Sequence, residues 1–368
     1  MTIGIIYREE LQEYDFGSGH AFRGDRYQLF PQFLRDNLAK DNNYQILRAD
    51  PATDKDLLLI CGKEYIEFTK EYYRAANLGL SYPGKFDKFH SVDNKPIERP
   101  GKLEEAARLI IGQAKMACDM VQLAKFNKVV SIGGGMHHAK PSYGEGFCIY
   151  NDVAFCALYL MREYELERIL ILDTDAHAGN GTCEYFYEDP RVLFVDLHQD
   201  PRTLYPGTGF TNQIGQGDGK GFTVNIPMPV NAGYDSYQLA FKSIVEPMTQ
   251  EFKPQIIIRN GGSDPHPDDR LTSLGLPIKG FRIIGERVRQ MAQVCDGKVI
   301  DLIASGYNNE VLPYAWLALI SGLADIDLEI EQPEPMPHHL SVDAPLAETV
   351  KVIEEVKGNL KEYWVCLR

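Results

Sequence analysis

Short apolar runs alternate with longer amphipathic segments along most of this 368-residue chain, and the alternation predicts an α/β fold. Runs of four or five apolar residues are typical of strands that are covered on both faces, as in parallel sheets. Segments with apolar residues every three or four positions are typical of the covering helices. The predicted strands are 1–7, 44–48, 129–132, 169–172, 192–197, 222–226, 256–258 and 299–303, and the longer predicted helices are 27–37, 102–126, 153–164, 181–187, 234–252 and 278–294.

No break in composition marks a second domain, so we expect a single three-layer α/β/α domain with a mainly parallel sheet over residues 1–368. Its motif-bearing core would span about 14–325, followed by a C-terminal extension at 326–368. Polar side chains follow several predicted strands. Because the carboxyl ends of parallel strands share one edge of the sheet, we expect these side chains to form a single site. They are His137, His138, Asp175, His177, His198, Asp264 and Tyr307.

The fourth predicted strand leads into Asp173, Asp175 and His177, which are spaced two residues apart. Alternate side chains of an extended segment point the same way, so two carboxylates and an imidazole leave the strand end on one side. Carboxylate oxygen and imidazole nitrogen suit a divalent metal such as zinc, and Asp264, at a second glycine-flanked strand end, would complete such a site. The alternative is that Asp173 or Asp175 caps a helix that begins near Asn180.

Two adjacent histidines, His137 and His138, follow three glycines at another strand end. Imidazole exchanges protons near neutral pH, so the pair is a candidate for acid–base chemistry. Asp93 lies in a long irregular segment, 78–101, of the kind that often rims a site. From the sequence alone we interpret Asp93 as a solvated turn residue, and Asp152 as the cap of the helix that follows it.

The net charge of −14 argues against a nucleic-acid partner, which would require clustered basic residues. Seven scattered cysteines without a CxxC pair, and no leader sequence, predict a reducing cytoplasmic location. The longest apolar run, 316–323, is too short to span a bilayer, so we expect no membrane partner.

Seven segments resemble, in the same order, the motifs of the zinc-dependent deacetylases of the arginase–deacetylase fold. That family includes histone deacetylases, bacterial acetoin-utilization proteins and acetylpolyamine amidohydrolases. Each segment alone is a weak signal, whereas all seven in order are highly specific. The resemblance runs from about Gly19 to about Gly322. The segments are 19–26, 133–138, 146–152, 173–181, 205–209, 262–264 and 306–307.

The resemblance implies metal-assisted hydrolysis of an acetyl amide. His138 would be the general base that activates water and then protonates the leaving amine. His137 would be its electrostatic partner, oriented by Asp173, and Tyr307 would donate a hydrogen bond to the substrate carbonyl. The ligands of one Zn²⁺ per chain would be Asp175, His177 and Asp264.

The same resemblance assigns residues to the substrate channel. Phe147 and Tyr205 match the aromatic walls around an acyl-lysine-like chain, and Gly146 would offer its carbonyl to the substrate amide. Arg26 matches an arginine of an internal acetate channel, and Asp93 falls near a rim aspartate that grips the substrate backbone. Many relatives also bind K⁺ beside the zinc, which implies a potassium site. Its residues would be Asp173, Asp175, His177, Asp196 and Leu197.

Four positions depart from the common pattern of the family. Ala178 replaces a second histidine, and Asn180 stands where many eukaryotic members have an aspartate. Asp196 replaces a small hydroxyl residue near the potassium site, where a carboxylate could strengthen cation binding. Ser305 replaces a glycine, which would stiffen the loop that carries Tyr307. None of these changes removes a residue that the chemistry requires.

We therefore predict a zinc-dependent deacylase that acts on acetylated lysine in peptides or proteins. An acetylated polyamine or another small acetylated amine is the alternative substrate, and a non-catalytic acyl-lysine binding protein is the alternative of another class. An arginase-like hydrolase with two manganese ions would require a second carboxylate cluster, and the segment 260–264 supplies only one aspartate. No long insertion of the kind found in polyamine-specific relatives is evident. The sequence leaves the oligomeric state open.

Overall fold

Eight parallel strands form one sheet in the computed structural model, which describes residues 3–38, 43–328, 330, 331, 333 and 343–368. The strand order is β2-β1-β3-β8-β7-β4-β5-β6, and every neighbouring pair is parallel. The predicted α/β class and mainly parallel sheet are confirmed. The strands are β1 Ile3–Ile6, β2 Tyr44–Leu47, β3 Lys128–Ile132, β4 Ile169–Asp173, β5 Val192–Gln199, β6 Thr223–Met228, β7 Ile256–Asn260 and β8 Val299–Ile303.

The inner strands are apolar on both faces because helices cover the sheet on both sides. All five residues of β4 are buried, and Ile169 pairs with Ile256 of β7 on one side and with Val192 of β5 on the other. The helices are α1 Arg26–Asn37, α2 Asp54–Leu57, α3 Lys63–Asn77, α4 Leu103–Gln122, α5 Asp152–Tyr164, α6 Asn180–Phe186, α7 Tyr234–Ala240, α8 Glu246–Phe252, α9 Ile278–Met291, α10 Leu312–Ala324 and α11 Leu346–Leu360.

The helix predicted at 234–252 is divided by a π-helical segment, Phe241–Val245, between α7 and α8. Pro247 has no N–H to donate to the carbonyl of Ser243, four residues earlier. The wider turn of the π-helical segment spans this missing helical hydrogen bond. Within the described parts of the chain, no helix is both long and apolar enough to cross a bilayer.

The C-terminal extension packs along the edge strand β6. The Asp343 carboxylate accepts the Ser236 N–H at 2.6 Å, at the start of α7, and the Trp364 indole donates to the Gly221 carbonyl at 2.7 Å, just before β6. Thr211 donates its hydroxyl to Glu355 of α11. The extension therefore covers an edge that would otherwise expose unpaired backbone groups.

His90 lies where the segment that carries Asp93 meets helix α3 and the loop before α5. Its buried ring packs against Phe86, and its Nε2 lies 2.9 Å from the Thr69 hydroxyl. The Gly144 N–H donates to the Phe89 carbonyl at 2.9 Å, and a Cβ at Gly144 would lie only 2.5 Å from His90 Nδ1. Burial lowers the pKa of His90 to about 3, so the ring is neutral in the folded protein.

His90 should make the folded state less stable in mild acid. Its pKa of about 3 in the folded protein lies below that of an unfolded histidine, so only the unfolded chain takes up a proton as the pH falls through about 6.5. Between pH 7.5 and 5.5, the free energy of unfolding of the wild type should fall by about 1.4 kcal/mol more than that of His90→Phe. Urea unfolding at the two pH values measures this difference.

Thr69→Val is the control, because it removes the hydrogen-bond partner but keeps the imidazole. It should lower stability at both pH values and retain the pH dependence of the wild type. Equal pH dependence in the wild type and His90→Phe would contradict the assignment of this effect to His90.

Candidate active site

Four neighbouring strands, β3, β8, β7 and β4, direct the segments after their carboxyl ends to one place at the edge of the sheet. The segment after β3 carries the histidine pair, and the segment after β8 carries Tyr307. The segment after β7 carries Asp264, and the end of β4 carries Asp173, Asp175 and His177. Residues more than 100 positions apart in the sequence therefore meet at one site.

Asp175, His177 and Asp264 form a buried group whose nitrogen and oxygen atoms converge. His177 Nδ1 lies 3.0 Å from Asp175 Oδ1 and 3.1 Å from Asp264 Oδ2, and one ligand atom from each residue falls within 4.8 Å of the others. Burial and then the charge of Asp175 raise the pKa of Asp264, so the two crowded carboxylates favour a cation between them. One imidazole nitrogen and two carboxylate oxygens are a donor set that fits zinc in a catalytic site.

Hydrogen bonds hold these carboxylates in place. The Ser305 hydroxyl donates to Asp264 Oδ1 at 2.6 Å, and the Ala176 N–H donates to Oδ2 at 3.1 Å. The His177 N–H donates to Asp175 Oδ1 at 2.8 Å. Such contacts orient ligands and tune a metal site.

His137 and His138 lie side by side with their Nε2 atoms 3.1 Å apart. His137 Nδ1 lies 2.8 Å from Asp173 Oδ2, whereas His138 Nδ1 lies 2.7 Å from the amide oxygen of Asn180. One histidine is therefore paired with a carboxylate and the other with a neutral amide.

The two environments separate the proton affinities of the histidines. Burial opposes protonation of His137, but the charges of Asp173 and Asp175 outweigh it and raise the His137 pKa to about 9. Burial and the positive charge of His137 hold the pKa of His138 well below its usual value. At neutral pH, His138 is therefore the histidine that is free to accept a proton.

Tyr307 lies beside the metal-capable group, with its ring centroid 6.4 Å from that of His177. Its backbone N–H donates to Asp269 Oδ2 at 2.7 Å, and its ring packs with those of Phe22 and Phe147, at centroid distances of 6.4 and 5.9 Å. Burial raises the pKa of the Tyr307 phenol well above 10, so the phenol remains protonated and able to donate a hydrogen bond.

The guanidinium of Arg26 lies behind this tyrosine. Its carbon is 5.5 Å from the Tyr307 ring centroid and 4.0 Å from that of Phe22, and Nη1 donates to the Ala304 carbonyl at 2.8 Å. Arg26 is almost fully buried, so its positive charge is held on the inner side of the site.

The loop from 144 to 148 forms one wall of the entrance. Gly146 and Phe147 have positive φ angles of 59° and 64°, and a Cβ at Gly146 would lie 2.2 Å from the His138 ring, so only glycine fits there. The Tyr205 ring is 44% exposed, with its centroid 5.2 Å from that of His138. The buried Tyr14 supports the wall by donating its hydroxyl to the Phe147 carbonyl at 2.7 Å.

Asp93 is not a solvated turn residue, as its place in an irregular segment suggested. Its side chain is half-buried, and Oδ2 accepts the N–H of Gly146 at 2.8 Å. The Asp93 carbonyl also lies 2.9 Å from His20 Nε2. Long-range contacts fix this aspartate at the rim, and local sequence does not reveal them.

The predicted helix cap at Asp152 is wrong, and the alternative that Asp173 or Asp175 caps a helix is excluded. Asn151 caps α5 by accepting the Ala154 N–H at 2.8 Å, whereas Asp152 accepts the N–H groups of the glycine-rich loop, including that of Met136 at 2.7 Å. The helix α6 begins after Gly179 without a side-chain cap, so neither Asp173 nor Asp175 serves that purpose. Both aspartates face the site instead.

Asp196 and Leu197 lie on β5, beside the main cluster. Asp196 Oδ1 lies 2.8 Å from His198 Nδ1, and Oδ2 accepts the Gly179 N–H at 2.8 Å. His198 Nε2 in turn lies 2.9 Å from the Gly209 carbonyl, so His198 is paired within β5 and the loop after it and does not join the histidine pair. The expected potassium site at these residues stays a prediction.

Sequence reasoning missed the roles of two residues that hold the site together, Asn260 and Asp269, and gave Ser305 a different role. Asn260, the last residue of β7, donates its amide to both Asp173 oxygens at 3.0 and 2.9 Å. Asp269 fixes the backbone of Tyr307, and the Ser305 hydroxyl orients Asp264 rather than merely stiffening its loop. Asn260 and Ser305 directly precede glycine-flanked motifs, which is the one signal that would have drawn attention to them.

A family model of the histone deacetylase domain matches residues 20–323. The chain belongs to the histone deacetylase family. A protein of Archaeoglobus fulgidus named "Probable deacetylase" is 35% identical over 375 residues, which cover 100% of both chains. The acetoin utilization protein AcuC of Staphylococcus aureus strain COL is 35% identical over 326 residues, which cover 87% of this chain and 81% of AcuC.

The crystal structure of the HDA15 HD domain matches the fold with a TM-score of 0.83 at 23% identity, covering 100% of this chain and 97% of that one. Its arginase–deacetylase architecture is the one expected from the sequence motifs. Membership of the histone deacetylase family makes this chain a hydrolase of the deacetylase type.

The two-manganese alternative lacks its second metal cluster in the part of the chain that the structure describes. A single group of three metal-capable side chains is found there, made of Asp175, His177 and Asp264. The oxygens of Asp173 are already shared between Asn260 and His137.

Ser305→Ala should weaken metal binding. Without the 2.6 Å hydrogen bond from Ser305, the carboxylate of Asp264 is free to turn, and the Kd for zinc should rise about 10- to 100-fold. Competition with a chromophoric chelator measures this affinity without any assay of activity.

Ser263→Ala is the matched control, because that neighbouring hydroxyl makes only a 3.5 Å contact with the Ser305 carbonyl. Its Kd for zinc should remain near that of the wild type. Unchanged affinity in Ser305→Ala would show that the hydrogen bond does not set the position of Asp264.

Proposed function

We propose that this deacetylase removes acetyl groups from acyl-lysine side chains of peptides or proteins, with one zinc ion held by Asp175, His177 and Asp264. One observation carries the proposal. The three convergent ligand atoms lie beside a histidine that is neutral at neutral pH and beside a buried, protonated tyrosine. These are the parts that hydrolysis of an amide requires.

When bound, zinc would act as a Lewis acid toward the acyl oxygen and lower the pKa of a water molecule. His138 takes a proton from water as the oxygen attacks the acyl carbon, because its Nε2 is unprotonated. His137, charged beside Asp173, stabilises the negative charge that develops nearby. The protonated His138 then donates its proton to the nitrogen of the leaving amine, and acetate and a free amine result.

Tyr307 donates its phenolic hydrogen bond to the carbonyl oxygen and to the oxyanion that forms from it. The Phe147 and Tyr205 rings enclose the aliphatic part of the substrate, and the Gly146 carbonyl accepts from the substrate amide. Asp93, whose carboxylate also accepts from Ser91 and Gly146, contacts the substrate backbone at the rim. A narrow aromatic channel of this kind suits an unbranched acylamino-alkyl chain.

Arg26 provides a buried positive charge that attracts the acetate product toward the interior. The proposed potassium site is formed by Asp173, Asp175, His177, Asp196 and Leu197. The seven cysteines are free thiols, which agrees with the cytoplasmic location inferred from the sequence.

Tyr307→Phe should lower kcat/KM for an acetyl-lysine peptide about 100- to 1,000-fold, because one donor to the oxyanion is lost. Zinc content should remain at one per chain, since the hydroxyl is not a ligand. The measurement is amine release from a fluorogenic acetyl-lysine peptide and from acetylputrescine, side by side.

Tyr314→Phe is the control, because that ring packs on Phe33 outside the site, with a centroid distance of 4.7 Å. It should keep wild-type activity. Turnover of acetylputrescine alone would replace the peptide with a polyamine as substrate. If zinc-loaded wild type hydrolysed neither substrate, the proposal of an acetyl-lysine deacetylase would be wrong.

A further inference from the structure

Glu145 lies behind the general base and is not used by the chemistry described above. Asn180 Nδ2 donates to Glu145 Oε1 at 2.6 Å, and the amide oxygen of the same residue accepts from His138 Nδ1 at 2.7 Å. Glu145, Asn180 and His138 therefore form a continuous hydrogen-bonded series that ends on the base.

A carboxamide has two ends of nearly equal shape but opposite polarity. If the amide of Asn180 turned over, its NH₂ group would face His138 and favour the imidazole that carries its proton on Nε2. That tautomer cannot accept a proton from water at Nε2. Two contacts oppose this turn: the charged His137 donates from Nε2 to His138 Nε2, 3.1 Å away, and Glu145 accepts from the other end of the amide.

We propose that Glu145 is a positioning residue for deacetylation, which holds the Asn180 oxygen toward His138 and so keeps the proton on Nδ1 and Nε2 free. A carboxylate only accepts hydrogen bonds, so the end of the amide that faces it must be NH₂. The proposal deepens the proposed function, because it rests on His138 acting as the base.

The surroundings of Glu145 suit this role. Lys140 Nζ lies 3.0 Å from the same Oε1 atom, so the carboxylate is paired with a cation and remains an acceptor. The side chain of Glu145 is only 15% exposed, and that of Lys140 is 29% exposed. The ion pair is therefore partly shielded from water, and the hydrogen bond to Asn180 competes little with solvent.

The position of Glu145 links the base to the wall of the channel. The next residue is Gly146, whose close approach to the His138 ring leaves no room for a side chain. One short loop thus sets both the distance of the channel wall from His138 and the orientation of the amide behind it. Asn180, the first residue of α6, has its backbone fixed by that helix.

The first test is Glu145→Gln in the zinc-loaded protein. The introduced glutamine can present its own NH₂ group, which allows the Asn180 amide to turn over. We expect kcat for the acetyl-lysine peptide to fall about 10- to 100-fold, with KM within about twofold of the wild type. Glu184→Gln is the matched control, since Glu184 lies 3.8 Å from Lys140 but is 53% exposed and not bonded to Asn180. Its kcat should not change.

The second test is rescue in the double variant Glu145→Gln/Asn180→Asp. Aspartate has two acceptor oxygens, so it accepts from His138 Nδ1 in either orientation, while the introduced glutamine donates to it from behind. Activity should recover at least about fivefold over Glu145→Gln, whereas Asn180→Asp alone places two carboxylates in contact and should not gain activity. If the two losses simply combine in the double variant, Glu145 has a purely structural role.

The third test needs no activity. Long-range ¹H–¹⁵N correlation spectra of ¹⁵N-histidine-labelled, zinc-loaded protein distinguish a protonated from an unprotonated ring nitrogen, with His138→Asn for assignment. We expect His138 to carry its proton on Nδ1 in the wild type and to populate the Nε2 tautomer in Glu145→Gln. The Nδ1 tautomer alone in both proteins would overturn the proposal. An inactive wild type with the expected shift in tautomer would instead disprove the proposed function and leave intact the role of Glu145 in setting the tautomer of His138.

Discussion

Burial of opposite charges at one edge of the sheet is the constraint on which the rest of the site depends. Asp173, Asp175 and Asp264 are almost completely buried, as are their imidazole partners. Isolated carboxylates would be strongly destabilising there, so each must find a donor or a cation. Asp173 accepts from Asn260 and pairs with His137, whereas Asp175 and Asp264 converge on His177. Asp175 and Asp264 share one imidazole, so this pair of carboxylates lacks enough positive charge and can hold a metal ion.

The strand order explains why these groups meet. The strands β8 and β7 lie between β3 and β4, although they come last in the sequence. The segments that carry Tyr307 and Asp264 therefore begin between the strand ends that lead to the histidine pair and to His177. Crossovers through covering helices allow this order, and because all eight strands are parallel, every loop that follows a strand lies at the same edge of the sheet. The hydrophobic pattern alone predicts strands but not their order, so it cannot show which strand ends are neighbours.

Local pattern and motif spacing were enough to predict the strands, the parallel sheet and most of the residues that converge at the site, with His198 as the exception. The residues that were misread or missed act through partners distant in the sequence. Asp93 contacts Gly146, 53 residues away, and Ser305 contacts Asp264, 41 residues away. Asp152 looked like a helix cap because it stands next to the residue that is one, and only the fold shows that its carboxylate turns back to the glycine loop. Side-chain hydrogen bonds between distant loops produce no periodic pattern in the sequence, so these contacts could not be predicted from it.

The neutral residue at position 180 gives the histidine pair its asymmetry. A carboxylate in contact with His138 would stabilise its protonated form, as Asp173 does for His137. With an amide there, burial and the charge of His137 dominate, and the pKa of His138 is held low. A neutral amide, however, can present either its oxygen or its NH₂ group to His138, whereas a carboxylate always presents an oxygen. Glu145 fixes the orientation of the Asn180 amide from its far side. Because Glu145 is paired with Lys140 and does not contact His138, its charge adds less to the proton affinity of the base. The orientation of the Asn180 amide and the basicity of His138 are thus set by different residues.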